Sequence, residues 1–160
     1  MKLTVPLCLL FMLAVLVGVP TAVVAETVVD AQGVVIKADV MTHDQELDVI
    51  RASGAVHIEW QGMTMMSVEA EYNRETQMVV ATGSVVLIKG ADILRGDKLT
   101  LDTVSGKGEL DNGTMFLRQG GNFHVAAQHV RKTGEADYEM DQGTITTCDA
   151  ETPSWKFGAS

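Results

Sequence analysis

Histidines are the residues of this sequence best suited to catalysis or metal binding, but their spacing supports neither role. The four are His43, His57, His124 and His129, with no His-x-His pair and no spacing typical of a zinc site. A metal-dependent jelly-roll enzyme would need histidine and glutamate side chains gathered on an inward face. His57 and His124 instead alternate with apolar residues, so we interpret the histidines as surface or loop side chains.

Carboxylates are plentiful but are not arranged for acid–base chemistry. They lie in turns, such as Asp44, Glu46 and Asp48, or on the polar faces of predicted strands, where a solvated surface explains them. The sequence contains no Gly-x-Ser-x-Gly nucleophile elbow and no phosphate-binding loop. It therefore predicts no enzymatic activity, no metal and no cofactor.

Cys148 is the one cysteine after the first ten residues. Neither of its neighbours, Thr147 and Asp149, would activate the thiol as a nucleophile. In an oxidising compartment, a lone cysteine indicates an intermolecular bond, a reactive thiol, or a partner cysteine that lies outside this sequence.

Residues 1–25 have the composition of a signal peptide. Lys2 gives the positive start, a long apolar run follows, and small residues suited to cleavage end the segment. A membrane anchor is the alternative, but a spanning helix needs about 20 apolar residues, and Pro6 and Pro20 shorten this run. We expect export to a periplasm or cell surface, with a mature chain that starts near Glu26.

The rest of the chain has the size of one domain and an acidic surface. Removing 25 of the 160 residues leaves 135, which is enough for a hydrophobic core. These residues carry 11 Lys and Arg against 21 Asp and Glu, a net charge of −10. Such a surface repels nucleic acid, and an aromatic content of 5% argues against a base-stacking platform. Nucleic acid is therefore not an expected partner.

Apolar runs after Glu26 alternate with the two-residue period of half-buried strands, and roughly ten to twelve such runs predict an all-β domain. In "VVIKADV" (34–40), for example, Val40 continues the face that begins at Val34. The inward-facing candidates that this alternation selects are Val34, Ile36, Ala38, Val56, Ile58, Trp60, Val68, Ala70, Tyr72, Val85, Leu87, Phe123 and Val125. They are either the plain core or the wall of an apolar slot.

Asn112-Gly113 is the strongest turn signal, because both residues tolerate the positive φ of a tight hairpin. We therefore expect a hairpin at this position. Thr114 completes a glycosylation pattern, but the hairpin accounts for the same residues.

An internal repeat organises the strands. "THDQELDVIRASGAVHI" (42–58) aligns without gaps on "EYNRETQMVVATGSVVL" (71–87), and shortened copies follow at 99–113 and from about residue 126. Each unit contributes two strands with a glycine at a bend. Stacked units of this kind predict a folded-over sheet whose inner face is a continuous apolar strip, with an uncertain register after Gly90.

Two features leave alternatives open. Residues 26–152 contain no proline, which indicates either sheet edges meant to pair with another chain or chance combined with charged edges. The methionines around Met63, Met65 and Met66 indicate either core packing or an adaptable apolar binding surface.

The repeated pattern "ADVMTHDQELDVIRASGAVHI" and "SVEAEYNRETQMVVATGSVVL" resembles the OstA-type domain of bacterial lipopolysaccharide transport. That domain is shared by the periplasmic bridge LptA and the N-terminal periplasmic part of LptD, and the resemblance covers about residues 32–158. "GTITTCDAETPSWKFGA" (143–159) is similar to the segment that leads the LptD domain toward its β-barrel, so the LptD branch is favoured over LptA.

The resemblance implies a V-shaped, twisted β-jelly roll, open along one side, at residues 26–147. Residues 148–160 would lead toward a β-barrel that this sequence does not contain, in a fragment of a longer protein or a stand-alone relative. The inner face would take the acyl chains of lipopolysaccharide and pass them toward the outer membrane. An LptA-like bridge would join by edge-strand addition, and an LptD barrel with its LptE lipoprotein plug would be further partners. Cys148 matches a cysteine of the periplasmic domain that pairs with the barrel.

Two rival hypotheses remain. The same fold could serve only as a strand-addition adaptor, without direct lipid binding. A jelly-roll enzyme would instead require a bound metal.

Overall fold

Eleven antiparallel strands form a single sheet in the computed structural model, which describes residues 26–118, 121–134, 137–148 and 155–159. The strands are β1 (Glu26–Val29), β2 (Val35–Ala38), β3 (Val40–Asp44), β4 (Val49–Trp60), β5 (Met63–Asn73), β6 (Met78–Lys89), β7 (Asp92–Asp102), β8 (Gly108–Leu117), β9 (Phe123–Lys132), β10 (Tyr138–Thr146) and β11 (Phe157–Ala159). The all-β prediction is confirmed. The predicted signal peptide lies outside the described residues, and within those residues no helix has the length and hydropathy to cross a membrane.

Nearly every strand pairs with its neighbours in the sequence, as consecutive hairpins require. The exception is the start of the sheet, where β2 and β3 both pair with the same edge of β4. Asp39 separates these two strands, and its backbone N–H donates to the carbonyl of Gly54 at 2.9 Å. β2 and β3 are thus two parts of one interrupted strand.

Bulges at regular intervals bend the long strands. Four residues within the long strands have positive φ values, between 45° and 52°: Ala55, Ser84, Asn112 and Gln142. They follow one another at intervals of 28 to 30 residues. The strand pairing shifts register at the first two of these positions. A bulge inserts an extra residue and bends its strand, so the repeat in the sequence corresponds to one bend in every second strand. Beyond Gly90, β7 and β8 pair in one register from Ile93–Phe116 to Leu101–Gly108, and this pairing is interrupted at the bend beside Asn112.

The bends divide the sheet into two arms that face each other, in a V-shaped, open β-jelly roll. Arm A contains β1, β2, the second halves of β4, β6, β8 and β10, the first halves of β5, β7 and β9, and β11. Arm B contains β3 and the remaining halves. The core lies between the arms, and the hairpin turns lie at their tips.

The prediction of a hairpin at Asn112-Gly113 is wrong. Both residues lie within β8, where Asn112 has a φ of 48° and forms one of the bends. A bend within a strand and a tight hairpin both require a residue with a left-handed backbone conformation. The Asn-Gly dipeptide alone therefore does not distinguish them. The tight turn is instead at Gln61-Gly62, where both φ values are positive, at 44° and 75°.

Two residues lie on the opposite face from the one that strand alternation predicted. Val40 is 55% exposed because the interruption at Asp39 reverses the phase of the strand. Val68 is 53% exposed and packs over Gly83 at the bend, while its neighbour Ser67 is buried. A one-residue irregularity exchanges the two faces of a strand, which explains both corrections.

The last described strand comes from the segment expected to lead away from the domain. β11 pairs with β10 through Gly143, Thr144 and Ile145, and it adds an edge strand to arm A. Part of the segment after Cys148 therefore belongs to the sheet.

Candidate functional site

The inner face of the first six strands, which we call the closed half, is filled by its own side chains. Its members come from both arms and are almost completely inaccessible to solvent. The largest fully buried side chains of the described residues all belong to it: Tyr72, Ile36, Ile58, Met65, Val56, Val79 and Val85. Only its margin, at Met63, Leu87 and Lys89, lines a cavity.

A hydrogen bond joins the two arms across the closed half. Asp30 lies in the turn between β1 and β2 on arm A, and its Oδ2 accepts a 2.6 Å hydrogen bond from the Tyr72 hydroxyl on arm B. Burial and the adjacent Asp30 carboxylate raise the pKa of Tyr72 far above its usual range. Oδ1 of Asp30 also accepts the backbone N–H groups of Gln32 and Val34, which fixes the turn. We call this contact the Asp30–Tyr72 bridge.

A cavity of about 360 Å³ opens between the arms beyond the bridge, along β7 to β10, which we call the open half. This volume is within the range of small-molecule pockets. Its apolar wall consists of Leu87, Leu94, Leu99, Leu101, Leu110, Met115, Leu117 and Val130. Thr103, a neighbour of Tyr72, lines the end nearest the bridge.

The two halves differ in the side chains that lie between the arms. Trp60 and Tyr72 place large aromatic rings between the arms of the closed half, and both are at most 3% exposed. The apolar wall of the open half contains only aliphatic and methionine side chains, and Gly108 contributes none. Tyr138, the one aromatic residue that lines the cavity, is 42% exposed. No buried aromatic ring lies among the residues that line the cavity of the open half.

The predicted slot residues lie mostly in the closed half. Eleven of the thirteen are buried, Phe123 is half-buried and Val68 is exposed: the buried ones are Val34, Ile36, Ala38, Val56, Ile58, Trp60, Ala70, Tyr72, Val85, Leu87 and Val125. Leu87 alone among the thirteen lines the cavity. The assignment of these residues to lipid contact stays a prediction.

The leucines of β7 and β8 are cavity residues that the sequence reasoning missed. Leu99 and Leu101 alternate with polar residues in "KLTLD" (98–102), which is the signal that selected the other candidates. Leu110 and Met115 lie on either side of the bend at Asn112, which disguises their shared face.

Three of the histidines, His43, His57 and His129, lie within hydrogen-bonding distance of carboxylates on the outer surface, in keeping with their interpretation as surface or loop side chains. His57 Nε2 is 2.8 Å from Glu59 Oε1, and His129 Nδ1 is 2.8 Å from Asp111 Oδ1. Within the described ranges, no three His, Cys, Asp or Glu side chains are grouped so that they could hold a metal ion.

Cys148 lies just after β10 and is partly exposed. Its backbone N–H donates to Thr146 Oγ1 at 3.1 Å, and the Thr146 hydroxyl donates to the carbonyl of Trp155 at 2.7 Å. These bonds fix the end of β10 next to the approach to β11. They do not test the predicted disulfide.

Comparison with known proteins agrees with the fold. Residues 64–152, more than half of the chain, match the family described as "LptA/(LptD N-terminal domain) LPS transport protein". The LPS-assembly protein LptD of Saccharophagus degradans is 24% identical over 128 residues, which are 79% of this chain and 14% of that protein. LptD of Vibrio vulnificus is 28% identical over 141 residues (84% and 18%), and LptD of Neisseria meningitidis serogroup B is 28% identical over 126 residues (78% and 16%).

The chain thus spans less than a fifth of the length of these relatives. They are named as assembly proteins and not as enzymes. The match to the family covers strands of both arms, including most of the cavity wall. The chain belongs to the LptA/LptD N-terminal domain family of lipopolysaccharide transport proteins.

Proposed function

We propose that the chain binds acyl chains of lipopolysaccharide in the cavity of the open half and passes them toward the outer membrane from the periplasm. The observation that carries this proposal is a cavity with a continuous apolar wall between two arms of one sheet, open to solvent at the arm tips, where its lining is polar. Membership in a lipopolysaccharide transport family supplies the lipid class.

The chemistry of the cavity wall supports a hydrocarbon chain as the ligand. Leu99, Leu101 and Leu110 come from both strands of the β7–β8 hairpin and present only methyl and methylene groups. A flexible acyl chain that leaves water for such a wall gains about 0.8 kcal/mol for each buried CH₂ group. Met115 adds a side chain that adapts to chains of different shape.

Passage along the whole inner face would require the closed half to open. Ile58 and Val56 could contact lipid only if the Asp30–Tyr72 bridge broke and the arms separated. In the described state, the cavity of the open half is therefore the binding site that we propose.

Exposed sheet edges support the proposed partners. Within the described ranges, β3 pairs only with β4, and the half of β10 in arm B pairs only with β9, so both edges of arm B are uncovered. We propose that an LptA-like bridge adds a strand at one of these edges. An LptD barrel with its LptE plug, and a disulfide from Cys148 to that barrel, belong to the same proposal.

Photo-crosslinking in cells tests lipid binding. A photoreactive amino acid at Leu94 or Leu117, which are half-buried residues of the cavity wall, should capture lipopolysaccharide. The same substitution at the outward neighbours Arg95 and Phe116 is the matched control. Equal capture at inward and outward positions, or no capture at all, would contradict the proposal.

The uncovered edges of arm B also favour a second candidate, an adaptor that joins other periplasmic proteins by strand addition without holding lipid. This candidate predicts crosslinks from β3 or β10 to a protein and no lipid adducts at Leu94 or Leu117.

A further inference from the structure

We infer that Lys89 and Lys132 form a cationic rim that binds the phosphate group of an anionic amphiphile whose chain occupies the open-half cavity. This inference rests on the proposed function for the chain-binding cavity and adds a site for the head group. The rim consists of two ammonium groups at the opening between the arm tips, one on each arm.

Strand alternation places both lysines on the inner face. Lys89 is the last residue of β6 and follows inward Leu87 by two positions, on arm A. Lys132 is the last residue of β9 and follows inward Val130 by two positions, on arm B. Both residues line the cavity. Each strand thus ends its apolar inner face with a lysine where the cavity meets solvent.

The carboxylates of the rim already have partners. Glu109 Oε1 accepts from Arg131 Nε at 2.8 Å, and Asp92 Oδ1 accepts from the backbone N–H of Arg118 at 2.7 Å. Neither Lys89 nor Lys132 forms an ion pair within 4.0 Å in the described part of the chain.

The lysines are therefore available to an anion. Lys132 Nζ lies 6.0 Å from the centre of the Tyr138 ring and beside the turn at Gly106. Both ammonium groups lie at the cavity opening although the chain as a whole has a net charge of −9. A cavity with an apolar wall and with lysines on both sides of its opening matches a molecule with a hydrocarbon chain and a negative head. A lysine ammonium is a compact charge that binds phosphate without a fixed orientation.

Binding of two amphiphiles with the same twelve-carbon chain tests the inference. Dodecyl phosphate carries the charge, and dodecyl maltoside is neutral; both are titrated into the purified chain below their micelle concentrations. The double variant Lys89→Gln/Lys132→Gln should bind dodecyl phosphate about five- to tenfold more weakly and dodecyl maltoside unchanged. Lys98→Gln is the matched control, because Lys98 is exposed on the outer face.

Salt gives a second readout. Raising the salt from about 0.05 M to about 0.5 M should weaken dodecyl phosphate binding to the wild type and have less effect on the double variant.

Each outcome decides the inference. Unchanged phosphate binding in the double variant, or equal loss for both amphiphiles, would overturn the cationic rim while chain binding in the cavity stands. If the wild type binds neither amphiphile, the proposed acyl-chain site fails, and the rim fails with it.

Discussion

The closed and open halves are built from the same repeated hairpin, yet one is filled and the other is hollow. In the closed half, Tyr72 and Trp60 occupy the space between the arms, and the Asp30–Tyr72 bridge joins them. In the open half, leucines such as Leu99 and Leu110 leave a cavity of about 360 Å³. The difference teaches that one repeated hairpin can build both a closed core and a cavity, and that buried aromatic rings between the arms mark the closed half.

The two halves should also contribute differently to the stability of the chain. In a densely packed core, the loss of even one methylene group lowers stability, so we expect truncations in the almost fully buried closed half to destabilise the chain most. The cavity wall loses contacts on its open side, which leaves the open half adaptable. We expect substitutions to follow this division.

The largest expected effect is the cost of truncating a side chain in the closed half. Ile58 is fully buried, so Ile58→Ala should lower the free energy of unfolding by about 3 kcal/mol through lost contacts and a new cavity. Leu117→Ala, at the half-buried cavity wall, should cost about 1 kcal/mol. Urea unfolding measures both, and equal costs would mean that the halves are packed alike.

The next effect concerns the Asp30–Tyr72 bridge. Tyr72→Phe removes the hydroxyl and leaves the Asp30 carboxylate without this donor, so we expect a loss of about 1.5 kcal/mol. Hydrogen exchange of residues 26–38 should accelerate, because the bridge holds this segment of arm A against arm B. Tyr138→Phe, at a partly exposed ring, is the control and should change neither quantity. If both variants lose the same stability and show the same hydrogen exchange, the Asp30–Tyr72 hydrogen bond does not hold the arms together.

A smaller effect should distinguish the bends of the two halves. Ala55 adopts a φ of 45°, which strains a residue with a β-carbon, so Ala55→Gly should stabilise the chain by about 0.5 kcal/mol. Asn112 has a φ of 48° but tolerates it, so Asn112→Gly should change stability less. Thermal unfolding of both variants is the measurement; greater stabilisation at Asn112 would reverse our ranking of strain.

The smallest effect is a pH dependence of the bridge. Because folding raises the pKa of Tyr72, its stabilising contribution is complete below the ordinary tyrosine pKa of about 10 and decreases as the pH rises above it. The stability advantage of the wild type over Tyr72→Phe should therefore shrink by a few tenths of a kcal/mol between pH 8 and pH 10. A constant advantage across this range would contradict the proposed origin of the shift.

Local patterns predicted much of the fold because strand alternation is a local property. Val56, Ile58 and Trp60 lie on the buried face that their spacing predicts. Strand alternation predicts the wrong face where one residue is inserted or a strand is interrupted, as at Val40 and Val68. Such a shift reverses the two faces without changing the composition of the segment.

The division into filled and hollow halves could not be predicted from local patterns. It depends on contacts between distant segments, such as the hydrogen bond that joins Asp30 to a residue 42 positions later in the sequence. Leu99 and Leu101 showed the right alternation, but nothing nearby indicates that the facing arm leaves space beside them.

Methyl NMR with a nitroxide-labelled fatty acid tests the central claim most directly, because it reports on both halves in one spectrum. If the open half alone admits an acyl chain, the methyl signals of Leu99, Leu101 and Leu110 should broaden. Those of Ile36 and Ile58 should stay sharp. Equal broadening in both halves, or broadening confined to the isoleucines, would contradict the account.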